Sequence, residues 1–391
     1  MNQARRSRWL LASACWTALF SHGLAVTAFG PLVTELQRAL AADKSMISFM
    51  YAALATGFLG AVFSGSNWTA RAGLKAVFAG GTAGFAVCAT GFSYSESALA
   101  AACWLLFTGY LGGLLQFGCN AAIGAAFSQN RTVHLNMLHT FFGIGAVAGP
   151  RLAARLLDHG AAWGNAYRIP ALFAVVGASL ALLARFPRQN AAAASGIRGL
   201  RPLRSPRVRL AAILIQCYVG AEVALSVWGP AYMEELHGLP PQIASNYLSY
   251  FWMAMVAGRL LCAPLARIVR PPLLLNSLAA GALLFILLFW WADQPIGLAV
   301  ALTAAGLFCS GIFPTLLGLT GDLCPEDIPA ATTIVMVASA MGNLTFPWLA
   351  GILAGAWSLH SSMALITALM MAVTAAATGL RRVERQRAPT A

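Results

Sequence analysis

Residues 76–94, 273–292 and 296–319 each run without a single Asp, Glu, Lys or Arg. A helix needs about 20 predominantly apolar residues to cross the hydrocarbon core of a bilayer. Helices satisfy every backbone hydrogen bond within the segment, which lipid demands because it offers no water partners. Segments of this kind, with few or no charges, recur twelve times, from about 9–32 at one end to about 358–380 at the other. Only 9% of the 391 residues are charged and 59% are apolar, against about 25% charged in soluble domains. So few charges leave too little polar surface to cover a soluble body. An all-α integral membrane protein is expected, and a soluble multi-domain enzyme, a disulfide scaffold and a nucleic-acid binder are excluded.

The net charge of +13 is read as a topology signal. Counting from a cytoplasmic N-terminus, 19 of the 25 basic residues fall in the terminal segments and inner loops, among them Arg5, Arg6, Arg8, Arg71, Lys75, Arg131, Arg188, Arg198, Arg267 and Arg387. Outer loops hold only Arg38 and Lys44. Short loops rich in Arg and Lys stay on the cytoplasmic side, so both termini are expected there, in a cell inner or plasma membrane. The apolar stretch after Arg8 is longer than a secretory signal's apolar region and reads as a permanent span. The polar interruption at 186–209 mixes Pro, Gly, Ser and Ala with Arg and has no acid. It divides the chain into an N-terminal bundle (1–185), a basic cytoplasmic linker (186–209) and a C-terminal bundle (210–391). One inner loop departs from the pattern with Asp322, Glu326 and Asp327, which is tolerable because acids contribute little to orientation.

The two halves repeat each other. Gly30, Pro31 and Glu35 recur 199 positions later as Gly229, Pro230 and Glu234, and Gly145 and Pro150 recur 197 positions later as Gly342 and Pro347. A nearly constant offset points to two parallel six-helix repeats, with small residues and prolines at matched depths for close packing and local bending.

On this frame, four runs carry a resemblance: NMLHTFFGIGAVAGP at 136–150, YVGAEVALSVW at 218–228, GIFPTLLG at 311–318 and GNLTFPWLAG at 342–351. They resemble the fucose-permease-like group of the major facilitator superfamily. The resemblance implies twelve helices in two pseudo-symmetric six-helix bundles around a central cavity, and secondary transport by alternating access. In this family the loop between spans two and three carries a gating motif; Arg71, Gly73 and Lys75 fit it, while Ala70 stands where its Asp belongs. Sugar-carrying relatives have acids in spans one and four. Span one here has none and Gln116 occupies the span-four position, so neither a fucose-like substrate nor a two-carboxylate proton path carries over.

An ionisable group in hydrocarbon is costly and usually faces a cavity or a partner. Glu222 is the one acid deep in a span, eight residues before Pro230. A carboxyl drawn out of water exchanges its proton nearer neutral pH, which makes Glu222 the first candidate for proton coupling. His22, nine residues before Pro31, lies at the pseudo-symmetric depth of span one and is the second; the alternative is a neutral ring bonded to nearby backbone. Arg151 in span five is a candidate for holding an anionic group of a substrate, with snorkelling to the outer headgroups or pairing with Asp158 as the competing role, whereas Arg155, Arg168 and Arg259 are expected near the interfaces. Gln116, Asn120, His139, Gln216, Tyr218, Trp228 and Asn343 are further substrate-binding candidates, with helix-to-helix bonding as the competing role.

The eight cysteines show no metal-ligand spacing and read as packing residues. No phosphate loop, zinc-protease or nucleophile-elbow motif is present. An enzyme is therefore not expected, and no cofactor or metal is implied; energy for uphill movement has to come from a proton or other ion gradient. Proton-coupled import of a small polar solute is the expected function. The alternatives are an anion or monocarboxylate carrier, a drug/proton antiporter and a non-transporting sensor or scaffold. The expected partners are the small-molecule substrate and membrane lipids, with no nucleic acid and a monomer as the working unit.

Overall fold

The computed structural model describes residues 3–127, 131–187, 201–324 and 327–385, all of their regular structure helical. The chain divides into two units, Met1–Gly196 and Ile197–Ala391. The side chains of Arg5, Arg131, Arg267 and Asp322, and residues Arg188, Arg198, Glu326 and Arg387, lie outside the described residues, as does most of the expected linker.

The first unit holds α1 (Gln3–Ala28), α2 (Val33–Ala39), α3 (Lys44–Ala72), α4 (Leu74–Ser93), α5 (Ala98–Ala126), α6 (Arg131–Asp158) and α7 (Asn165–Leu183). The second holds α8 (Pro206–His237), α9 (Pro241–Ile268), α10 (Pro271–Trp291), α11 (Pro295–Cys309), α12 (Ile312–Leu323), α13 (Ile328–Ala356) and α14 (Leu359–Arg385). α8 starts at Pro206, inside the segment read as linker, because proline is preorganised for the first turn of a helix. Among the described residues ten stretches are long and apolar enough to cross a membrane, the span at Pro295–Leu319 running through α11 and the start of α12. The remaining two of the twelve expected spans are α6 and α9. Each is 28 residues long but more polar, with Arg151 and Arg155 in α6 and Gln242, Asn246 and Arg259 in α9. Polar faces of this kind need protein or water against them rather than lipid.

The repeat seen in the sequence is a repeat in packing. A Cβ on Gly145 of α6 would run into the Phe20 carbonyl oxygen of α1, and a Cβ on Gly342 of α13 would run into the Gln216 carbonyl oxygen of α8. The same holds for Gly109 of α5 against Leu54 of α3, and for Gly306 of α11 against Phe251 of α9. Without a hydrophobic force between helices in lipid, close backbone approach at small residues drives their association. The halves differ at their matched prolines. α1 stops at Ala28 and passes through a short 3-10 turn at Gly30–Leu32, whereas α8 continues unbroken through Gly229 and Pro230 to His237.

Candidate functional site

The second unit holds a polar group assembled from three spans. Tyr218 and Glu222 are one turn apart on α8, so they share a face. The buried Tyr218 hydroxyl donates to the Cys309 carbonyl oxygen at 2.8 Å. Cys309 is the last residue of α11, and a helix end leaves its final carbonyls without intrahelical partners. The break between α11 and α12 therefore creates an acceptor that Tyr218 satisfies.

Glu222 lies within hydrogen-bonding reach of the Tyr218 hydroxyl and within electrostatic reach of Arg259. A phenol has one hydrogen, and Tyr218 commits it to Cys309. The Tyr218 oxygen can then only accept from Glu222, and a carboxyl donates only in its protonated form.

Arg259 is the residue that sequence reasoning missed. Its position in α9 suggested the inner interface, but the side chain lies on the face turned to α8. The Trp252 indole donates to Ser226 Oγ at 3.2 Å, joining α9 to α8. Arg259 follows Trp252 by two helical turns, and Glu222 precedes Ser226 by one. Its guanidinium donates to Met255 Sδ at 3.6 Å, a weak acceptor, and makes no contact ion pair with Glu222. A signal was available: Trp252, Met255 and Arg259 fall at the spacing of one helix face.

In the first unit, α5 and α6 are joined by the candidates Asn120 and His139. His139 Nε2 and Asn120 Oδ1 are 3.1 Å apart, and Asn120 Nδ2 donates back to the Gln116 carbonyl at 2.8 Å. His22 is buried, enclosed by Phe85, Phe142 and Phe58 with ring centroids at 5.6, 6.1 and 6.5 Å, and pressed against Gly112 of α5. Its Nδ1 is buried without a hydrogen-bond partner, so the backbone-bonded alternative does not describe that nitrogen.

The remaining candidates are placed as follows. Trp228 is wholly buried and its indole donates to the Pro347 carbonyl at 2.9 Å, a carbonyl at the proline inside α13, so it ties two helices together. Gln216 is partly buried beside Gly342. Arg151 and Asn343 are partly buried and both are engaged by neighbours. Of the loop motif, Arg71 is exposed, Gly73 ends α3 with φ +82°, and Lys75 Nζ donates to the Leu182 and Ala184 carbonyls at 2.7 and 3.1 Å. Lys75 therefore satisfies the C-terminal end of α7, where a cation also opposes the helix dipole. Arg168 is bonded to Ser93 and Asn165 and lies 4.0 Å over the Tyr94 ring at one end of the bundle. No cluster of three metal-ligating side chains occurs among the described residues.

Helices of spanning length, repeated in two units, define a polytopic membrane protein. The sequence profile of the Major Facilitator Superfamily matches residues 15–296 and 248–391, and the chain belongs to that family. It is a transporter and not an enzyme.

Among curated relatives, a TsgA homolog of Erwinia tasmaniensis is 21% identical over 92% of both chains. The sodium-dependent glucose transporter 1 of Danio rerio is 24% identical over 89% of this chain and 65% of its own length. The major facilitator superfamily domain-containing protein 4B of Danio rerio is 37% identical over 29% of this chain, a match spanning 22% of that protein. Among solved structures, a mutant form of the nucleoside transporter NupG superposes with a TM-score of 0.77 at 12% identity, covering 96% of this chain and 99% of that one. FucP in its outward conformation superposes with a TM-score of 0.63 at 18% identity and the same coverage. These likenesses establish the fold.

Proposed function

We propose that the protein imports a small hydroxylated solute of the sugar or nucleoside type by alternating access, coupled to protons that Glu222 carries. The observation that carries this reading is Glu222 itself, a carboxyl in the middle of α8 beside the Tyr218 hydroxyl. The names of the sodium-dependent glucose transporter, NupG and FucP support the solute class, and the uncharged polar groups at Gln116, Asn120 and His139 suit hydroxyls. The basic inner loops support cytoplasmic termini in an inner or plasma membrane. The working unit is proposed to be the monomer, driven by a proton gradient with no bound cofactor.

The test separates coupling from carriage in reconstituted vesicles. Glu222→Gln fixes the neutral state of the side chain, so it should abolish uphill uptake of a radiolabelled sugar or nucleoside while sparing counterflow exchange. Uphill uptake that survives in Glu222→Gln contradicts the proton role. Counterflow absent from the wild type for both solute classes contradicts the solute assignment.

A further inference from the structure

We propose that the end of the second unit where α8 finishes and α14 begins is a proton-operated latch: neutral His237 and His360 close on Tyr232 and tie α8, α10 and α14 together, and protonation of the pair opens them. With the termini cytoplasmic, as proposed above, this end faces outside, the acidic side for proton-driven import, so the latch opens where solute is loaded. The inference goes beyond the role given to Glu222 and does not depend on it.

Three helices meet at one ring. Tyr232 is wholly buried in the last turns of α8. The His237 ring from the end of α8 meets it edge-on with centroids 4.9 Å apart, and the His360 ring from the start of α14 meets it edge-on at 5.7 Å. Phe289 of α10 lies at 5.6 Å. Hydrogen bonds close the circuit: the Tyr232 hydroxyl donates to the Trp290 carbonyl oxygen of α10 at 3.0 Å, and the Trp290 indole donates to His360 Nδ1 at 3.4 Å.

These contacts require neutral rings. An indole is a donor only, so His360 Nδ1 offers it a lone pair and carries no proton in the closed latch. The His360 ring is exposed and takes a proton directly from water; once Nδ1 holds it, Trp290 has lost its acceptor. His237 opposes protonation for a different reason. Its Nε2 is buried without a hydrogen-bond partner, an imidazolium is a donor at both nitrogens, and a buried donor left unmet is costly. The two rings also lie within electrostatic reach of each other, so a doubly charged pair repels itself across Tyr232.

The surrounding charges set the direction of the switch. Asp293, in the turn between α10 and α11, lies within electrostatic reach of His237 and Tyr232, and a single carboxylate offsets one of two positive charges. Glu234 and Glu235, on the last turn of α8, are each engaged by a neighbour. α9 brings no charged side chain or histidine before Arg259, α11 and α13 bring none at all, and α14 brings none between His360 and Arg381. Swung away from Tyr232, a charged His237 is favoured by Asp293 and by the C-terminal end of α8. The closed form therefore binds fewer protons than the open one. It holds at high pH and is lost as pH falls through the range where histidine titrates, about pH 5 to 8.

The test is hydrogen–deuterium exchange of the full chain in lipid nanodiscs, corrected for the pH dependence of intrinsic exchange, which reads local opening. Peptides covering 286–294 and 359–366 should exchange at least about tenfold faster at about pH 5 than at about pH 8. The double variant His237→Gln with His360→Gln stays neutral at both pH values and should lose that difference. Trp290→Phe, which removes the indole donor and keeps both histidines, should exchange faster in 359–366 even at the higher pH. Glu222→Gln should keep the full response. Equal exchange at the two pH values in the wild type overturns the proposal, as does a response that persists in the double variant. A response lost in Glu222→Gln also overturns it, because the proton then acts at Glu222 and not at the latch. Should the double variant fail to fold, exchange in Trp290→Phe identical to wild type is sufficient to overturn it.

Discussion

Replacing Tyr218 by Phe removes one oxygen from the polar group of the second unit and leaves the packing volume nearly intact. The wild-type hydroxyl donates to the Cys309 carbonyl at 2.8 Å and is buried on α8. That carbonyl ends α11, so the variant takes away the donor that satisfies it in a dry interior. An unsatisfied buried polar group costs about 1–3 kcal/mol, a factor of roughly 5 to 150 in the folding equilibrium at 1.4 kcal/mol per tenfold. Unfolding of purified protein in detergent, followed by tryptophan fluorescence, should therefore give a free energy lower by about 1–3 kcal/mol for Tyr218→Phe. Counterflow by folded protein should persist. A Tyr218→Phe protein as stable as wild type would refute the claim that this hydroxyl satisfies the broken end of α11.

Further expectations follow from the packing. Gly342→Leu should destabilise the protein by more than about 1–3 kcal/mol, the usual cost of overpacking, because the new side chain meets Gln216 backbone rather than a movable tip; expression level and melting temperature report it. Gly73→Ala and Gly73→Val both force a side chain into φ +82°, ψ 154°, a conformation essentially confined to glycine, at a cost of about 1–3 kcal/mol; melting temperatures against wild type check it. Glu35→Gln breaks the Arg38–Glu35 ion pair at 2.7 Å; since the arginine is exposed, stability in chemical denaturation should stay within about 1 kcal/mol and transport should be unaffected. Asn120→Ala removes the link to His139 and should weaken solute binding, raising the solute concentration needed for half-maximal counterflow.

Much of the fold is legible from charge alone. Runs such as 76–94 and 273–292 became α4 and α10 because a charge-free stretch of that length has one low-energy conformation in lipid. The glycine and proline offsets foretold more than repetition: Gly145 and Gly342 occupy the same contact in their respective units, since close approach tolerates nothing larger. Continuity was not legible. Gly30–Pro31 and Gly229–Pro230 read alike, yet α1 breaks there and α8 does not, because a proline inside a span is accommodated or not by the neighbours that meet the freed carbonyl.

The site was legible by depth and not by direction. Counting residues from Pro230 put Glu222 in mid-span, but each residue turns a helix by about 100°, and only the neighbours decide which face is inward. The same limit hid Arg259, whose place near the end of α9 suggested headgroups while the Trp252–Ser226 bond turns its face to α8. Trp228 illustrates the converse: an aromatic at the right depth for stacking on a solute is fully committed to Pro347 of α13.

The claim that most needs a direct test is that solute movement carries a proton through Glu222. Vesicles holding reconstituted protein and a trapped pH dye, given sugars and then nucleosides from outside, report it in one trace. The account requires internal acidification with one of the two classes in the wild type and none with Glu222→Gln, although the variant still exchanges labelled solute. Solute entry without acidification in the wild type, or acidification that persists in Glu222→Gln, contradicts it.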